Sequence, residues 1–166
     1  RFCERVQKLS STLDRVETRA GVPLAAARYL HANRLPMDAV CWRELEGLDW
    51  AGQGMRVATR RAEGGDLVGI TGAFCAVAET GTLVVTSGRD TPSSASLVPE
   101  THIAVIDAAR IVAGIEEAWA LLRAERGQLP RAVNFISGPS RTADIEQTIV
   151  LGAHGPYRVH IILVGG

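Results

Sequence analysis

Ala132-Val-Asn-Phe-Ile136 runs into Ser137-Gly-Pro-Ser-Arg-Thr-Ala-Asp-Ile-Glu146. After it, Gly152-Ala-His-Gly-Pro156 runs into Val159-His-Ile-Ile-Leu-Val164. The two flanking runs are apolar and rich in β-branched residues, so they read as buried strands. Between them the chain gathers hydroxyls, a guanidinium, two carboxylates, an imidazole and several glycines. Polar chemistry concentrated between two strands reads as a site at the edge of a sheet.

Working outward, other apolar runs repeat the pattern. Ala39–Trp42, Met55–Thr59, Leu67–Ile70, Thr82–Thr86 and His102–Asp107 read as strands. Gly114–Arg126 reads as an amphipathic helix, with Ile115, Ala118, Trp119 and Leu122 on one face and Gly127 as its stop. Phe74–Ala78 reads as a turn or two of helix. Phe2, Val6, Leu9, Leu13 and Val16 form one helical stripe closed by Gly21 and Pro23, and Leu24–Ala32 reads as a second helix. The expected architecture is a single α/β domain over residues 1–166. It is a three-layer α/β/α arrangement with a mixed or mostly parallel sheet, and an N-terminal helical segment, 1–35, packs on it.

Bulk properties narrow the function. The chain has 166 residues, length for one domain with a substantial core. Its 18 basic and 18 acidic residues cancel, so there is no electrostatic footprint for nucleic acid. Lys8 is the sole lysine, and the abundance of arginine reads as compositional bias rather than phosphate recognition. Cys3, Cys41 and Cys75 are far apart, which fits reduced thiols in a cytoplasmic protein and no disulfide framework. Neither they nor His31, His102 and His160 have metal-ligand spacing. Cys75 reads as a small core residue. No apolar run reaches the ~20 residues of a membrane span. Arg1-Phe-Cys-Glu4 lacks an initiator Met and a signal-peptide pattern, so further residues are expected before it.

Each chemistry-bearing piece has a structural reading beside its functional one. Gly138 and Pro139 force a tight turn, after which a helix is expected near Thr142. The hydroxyls of Ser140 and Thr142, with free N–H groups and the Arg141 fork, would then make an anion-binding helix start. The alternative is a capped helix with Asp144 and Glu146 complementing its dipole. Those two carboxylates would point about 200° apart on a helix, so they form no acid pair. Asp144, nearer the turn, is the candidate to orient Arg141 or His154. His154, held between Gly152, Gly155 and Pro156, is a candidate acid/base or a structural hydrogen-bonding residue. Ala78-Glu-Thr-Gly-Thr82 precedes a strand; Thr80 and Thr82 offer hydroxyls, and Gly81 would admit a ligand to the backbone. Gly69-Ile-Thr-Gly72 could complete a glycine-rich rim. Neither a phosphate-loop lysine motif nor a full dinucleotide fingerprint is present.

Three pieces in this order and spacing, Ala78-Glu-Thr-Gly-Thr82, Ser137–Glu146 and Gly152-x-His-Gly-Pro156, resemble the signature of the LUD family. The resemblance spans roughly residues 66 to 164. It implies a fold like that of ribose-5-phosphate isomerase, glucosamine-6-phosphate deaminase and the CoA transferases. It also implies a role as a complex subunit in L-lactate oxidation to pyruvate, beside iron–sulfur proteins. The clusters would sit on those partners, with no cofactor in this chain, and this chain would bind a small organic acid or phosphate-bearing ligand. On this reading His154, Asp144 and Glu79 are the catalytic candidates, Glu79 by loose likeness to the nucleophile of CoA transferases. Thr80, Gly81, Thr82, Ser137, Gly138, Ser140, Arg141, Thr142 and Gly155 are the ligand-binding candidates. The alternatives are a freestanding CoA-transferase-like or sugar-phosphate-type enzyme and a ligand-binding regulatory module.

Overall fold

The computed structural model describes residues 1–143, 149–151 and 155–165. In chain order the elements are α1 (Phe2–Lys8), β1 (Thr12–Val16), α2 (Val22–Ala32), β2 (Asp38–Cys41), β3 (Arg56–Thr59) and β4 (Val68–Gly72). There follow β5 (Cys75–Val77), β6 (Thr82–Thr86), α3 (Ser94–Leu97), β7 (Thr101–Asp107), β8 (Ile111–Val112) and α4 (Ile115–Arg126). The last are β9 (Val133–Ile136), β10 (Arg141–Ala143), β11 (Ile149–Leu151) and β12 (Arg158–Val164).

Six strands in the order β1-β12-β7-β4-β2-β3 form one sheet, and every pairing within it is parallel. Strict alternation along the strands gives it two apolar faces. Ile103 and Val105 of β7, with Ile162 and Val164 of β12, face α2 and its Ala26 and Leu30. Ala104 and Ile106, with Ile161 and Leu163, face Phe2 and Val6 of α1 and Ala95 of α3. Ile103, Ile106, Ile161 and Ile162 are at most 1% exposed. Fully burying such a side chain contributes ~1.5–3 kcal/mol.

The mostly parallel sheet flanked by helices is the α/β architecture expected from the sequence. A second sheet, β8-β5-β6-β9, lies over the α1 face and was not foreseen. Ala76, Leu83 and Val85 turn toward the large sheet. Cys75, Val77 and Val84 turn toward Ala118 and Leu122 of α4. The Arg110 guanidinium grips Glu125 of α4 through two bonds, 2.6 and 2.9 Å, and donates to the Phe74 carbonyl.

Three local expectations are corrected. The N-terminal stripe is not one helix: α1 stops at Lys8 and Thr12–Val16 is a strand. Leu13 and Val16 lie on opposite sides of that strand, against the α1-side and α2-side cores respectively. Residues 74–78 are not helical, because Cys75–Val77 pairs with β6 and β8. No helix starts at Thr142. It lies in β10, which pairs antiparallel with β11 in the register Arg141↔Leu151, Thr142↔Val150, Ala143↔Ile149. The β-branched residues of both segments suit that pairing.

Candidate functional site

The small sheet brings the first two signature pieces together. β6 and β9 run antiparallel with Leu83 opposite Ile136. That register places Thr82, one residue before Leu83, against Ser137, one residue after Ile136. Their hydroxyl oxygens are 2.7 Å apart. The Thr80 hydroxyl donates to Thr82 Oγ1 at 2.8 Å. If Thr82 passes its proton on to Ser137, the Ser137 hydroxyl keeps its own proton for solvent or a ligand. Thr82 is buried, while Thr80 and Ser137 are exposed, so the chain of hydroxyls leads from the core to the surface.

The third piece joins through the backbone. The Ser140 N–H donates to the Pro156 carbonyl at 2.9 Å. A β-carbon on Gly155 would stand 3.4 Å from Ser140 Cβ. Pro156 is two residues ahead of β12, so the assembled pieces lie at the amino edge of the large parallel sheet. Parallel sheets usually bind ligands at the carboxyl edge, so the site departs from the usual place for this architecture.

The two turn glycines also carry a packing role. Gly81 (φ +72) and Gly138 (φ +90) occupy the left-handed region that favours glycine. The space a β-carbon would take at Gly81 is filled by Arg5 and Val6 of α1. At Gly138 it is filled by the carbonyl of Leu9, 2.5 Å away. The glycines therefore seat the segment from α1 to Leu9 closely on the signature turns. Sequence reading missed Arg5, Val6 and Leu9 as residues that cover the signature, because Val6 and Leu9 read only as part of a core stripe and Arg5 falls off it. The Gly69-Gly72 rim is likewise closed: Gly69 packs on the Ala95 carbonyl and Gly72 on the Glu44 carboxylate.

Glu79 is exposed in the turn between β5 and β6, and its backbone N–H donates to the Ala113 carbonyl at 3.0 Å. Its carboxylate lies near Gly114, 3.7 Å from the place of a β-carbon there. Among the described residues no carboxylate or imidazole hydrogen-bonds to Thr80, Thr82 or Ser137. Those hydroxyls therefore have no described base beside them to activate a nucleophile. Arg141 and Thr142 lie on β10. Asp144, Glu146 and His154 fall outside the described residues.

His102, His160, Cys41 and Cys75 serve the core, while His31 is exposed and Cys3 half-buried. His102 is fully buried, and its Nε2 is 2.7 Å from the Thr71 hydroxyl. His160 stacks on Tyr29 with ring centroids 3.9 Å apart, and its Nδ1 is 2.8 Å from the Thr12 hydroxyl. Burial pushes both imidazoles down to about 4, with Asp14 opposing weakly at His160. Cys75 is buried, which pushes its thiol up to about 11. Trp42 and Trp50 are core residues whose indole N–H groups donate to the carbonyls of Pro92 and Leu45. Among the described residues there is no group of three or more His, Cys, Asp or Glu placed to hold a metal, and no helix is long and apolar enough to cross a membrane.

The LUD domain matches residues 8–164. Lactate utilization protein C of Bacillus subtilis (strain 168) is 37% identical, over 70% of this chain and 53% of the relative. The Bacillus licheniformis protein of the same name is 34% identical, over 69% and 53%. That of Exiguobacterium sp. is 37% identical, over 83% and 61%. The chain thus spans about half the length of the Bacillus relatives. The crystal structure of a DUF162 family protein from Deinococcus radiodurans superposes with a TM-score of 0.71 at 26% identity, covering 99% of this chain and 94% of that one.

Proposed function

The chain belongs to the LUD domain family, and from that premise we propose that it works in L-lactate utilization, as a cluster-free subunit of a cytoplasmic system that oxidises L-lactate to pyruvate. The electrons pass through iron–sulfur partners, and this chain contributes a binding surface for a small organic acid or for those partners. The observation that carries the reading is the meeting of the signature pieces at one sheet edge. The hydroxyls of Thr80, Thr82 and Ser137 stand in line there, and Ser140 is tied to Pro156. Similarity to relatives named lactate utilization protein C supports the pathway.

Ser137 and Arg141 are the proposed ligand contacts. A hydroxyl with a proton to spare and a guanidinium fork both suit a carboxylate. Asp144 and His154 are proposed to orient or exchange protons beside them. The exposed Glu79, turned toward Gly114, offers no geometric support for a freestanding CoA-transferase-type reaction.

The test is growth on L-lactate. A strain deleted for the gene should fail to grow on it and recover with the wild-type chain. Ser137→Ala and Arg141→Ala should each fold, with melting temperatures near wild type, and fail to restore growth. Full growth of the deletion strain would overturn the pathway assignment. Full growth with both variants would remove these residues from the site.

A further inference from the structure

At the carboxyl edge of the large sheet, opposite the signature, the chain leaves neighbouring strands in opposite directions. After β2 it turns to the α2 face, where Leu45 and Trp50 are buried. After β4 it turns to the other face, where Ala76 and Leu83 are buried. Such a reversal opens a crevice outside the carboxyl ends of the strands, the usual ligand position in an open parallel sheet. A cleft of about 150 Å³ lies beside it, lined by Cys41 and Thr59, the last residues of β2 and β3. An adjoining hollow of about 570 Å³ shares Arg61 and Pro92 with it and reaches Ser87, Ser94 and Arg131.

The charge of the cleft is lopsided. Arg43, Arg60, Arg61 and Arg89 surround it, with Asp90 as its one acidic wall residue. Arg43 is held by Asp90 at 3.0 Å, and Arg60 is spent on Asp66 through two bonds of 2.7 Å. The guanidiniums of Arg61 and Arg89 have no hydrogen-bond, ion-pair or ring partner among the described residues. Two positive charges thus line a pocket whose wall also carries hydroxyl and thiol groups, with no partner among the described residues to balance them.

We propose that this cleft is an oxyanion site, separate from the signature, in which Arg61 and Arg89 hold the phosphate group of a small organic phosphate. Two uncompensated guanidiniums match the near-double negative charge of a phosphate monoester, and their planar forks match its oxygens. The Thr59 hydroxyl can donate a further hydrogen bond. The adjoining hollow has room for the organic part. The cleft itself is too small for a nucleic acid strand, and the chain has no net positive charge to recruit one.

The experiment is isothermal titration of the full chain with inorganic phosphate and with glycerol 3-phosphate. Both should bind, the monoester more tightly. Arg61→Gln/Arg89→Gln should weaken both at least tenfold, and each single substitution should weaken them less. Arg123→Gln, on the exposed face of α4, should leave binding unchanged. Both cleft arginines are exposed and unpartnered, so melting temperatures should match wild type. If the double variant is unstable, Arg89→Gln alone must still weaken phosphate binding. Malonate, a dicarboxylate of similar charge, separates the two sources of such an anion: tighter binding of malonate than of phosphate overturns the phosphate assignment. Absence of phosphate binding, or equal binding by the double variant, overturns the site.

Discussion

Gly81 sits directly under Arg5: a β-carbon added at Gly81 would stand 2.8 Å from Arg5 Cβ and 2.9 Å from the Arg5 carbonyl carbon. The first helix is therefore fitted to a turn 76 positions further along the chain, in the middle of the signature. Residue types that look like ligand chemistry in sequence are, at this point, the seat of a helix.

That seat predicts a graded response to alanine. Gly54 also has a left-handed backbone (φ +73, ψ +15) but has nothing within 4 Å of a β-carbon position. Gly54→Ala should cost only the backbone strain, ~1–2 kcal/mol. Gly81→Ala must in addition displace α1, and should cost clearly more. Gly138→Ala, facing the Leu9 carbonyl, should behave like Gly81→Ala. Urea unfolding gives the energies, and amide exchange in residues 2–8 reports whether α1 loosens. Equal costs at Gly81 and Gly54 would show that α1 does not depend on this contact.

Acid should destabilise the protein through its buried imidazoles. His102 and His160 are held near 4 by burial, against 6.5 in an unfolded chain. As pH falls below about 6.5 the unfolded state takes up protons that the folded state refuses. The stability these rings confer is therefore complete above about pH 7 and is lost progressively toward pH 4. A shift of this size corresponds to ~3 kcal/mol for each ring. Urea midpoints at pH 7, 6 and 5 should fall in that order. His102→Gln, compared with itself across the same range, should lose less. A flat profile from pH 7 to 5 in the wild type would contradict the burial of both rings.

The hydroxyl line separates binding from folding. Thr82→Val removes a buried hydroxyl with two partners and should cost ~1–2 kcal/mol of stability. Ser137→Ala, at the exposed end, should change stability by less than ~0.5 kcal/mol and still abolish growth on L-lactate. A Ser137→Ala variant as destabilised as Thr82→Val would mark Ser137 as part of the scaffold instead.

Metal content offers an independent check. Cys41 and Cys75 are buried and Cys3 is half-buried, each a free thiol. The purified chain should be colourless and carry well under one iron or zinc per molecule. Elemental analysis near one equivalent of either metal would overturn the assignment of the clusters to partner proteins.

What the sequence discloses depends on whether local and tertiary forces agree. Thr82–Thr86 is β-branched, apolar and buried at every position, and it is the strand its composition predicts. Ile115–Arg126 has one apolar face and a glycine stop, and it is the expected helix. Leu13 and Val16 mislead because a spacing of three serves one helix face or two strand faces equally well, and only the pairing with β12 decides. Thr142 misleads in the same way, since a hydroxyl followed by acidic residues is a good helix start until Val150 pairs with it. In the site, the partnership of Thr82 and Ser137 follows once β6 and β9 are recognised, because one register fixes both ends. The seating of α1 on Gly81 and the convergence of Arg61 with Arg89 have no local signature. They arise from segments that meet only after folding.

The pairing of β1 sets a timetable for the chain during its synthesis. Among the described strands β1 has a single neighbour, β12, and Thr12 meets a histidine 148 residues later. A ribosome adds residues at about 5–20 per second, so roughly seven to thirty seconds separate the two strands. Throughout that interval the β1 backbone has no native partner, and Leu13 and Val16 have no completed core to enter. A nascent chain of this design is a natural client for chaperones that bind short apolar segments near the tunnel exit. Any stop that removes β12 leaves not a smaller protein but one whose first strand has nowhere to go.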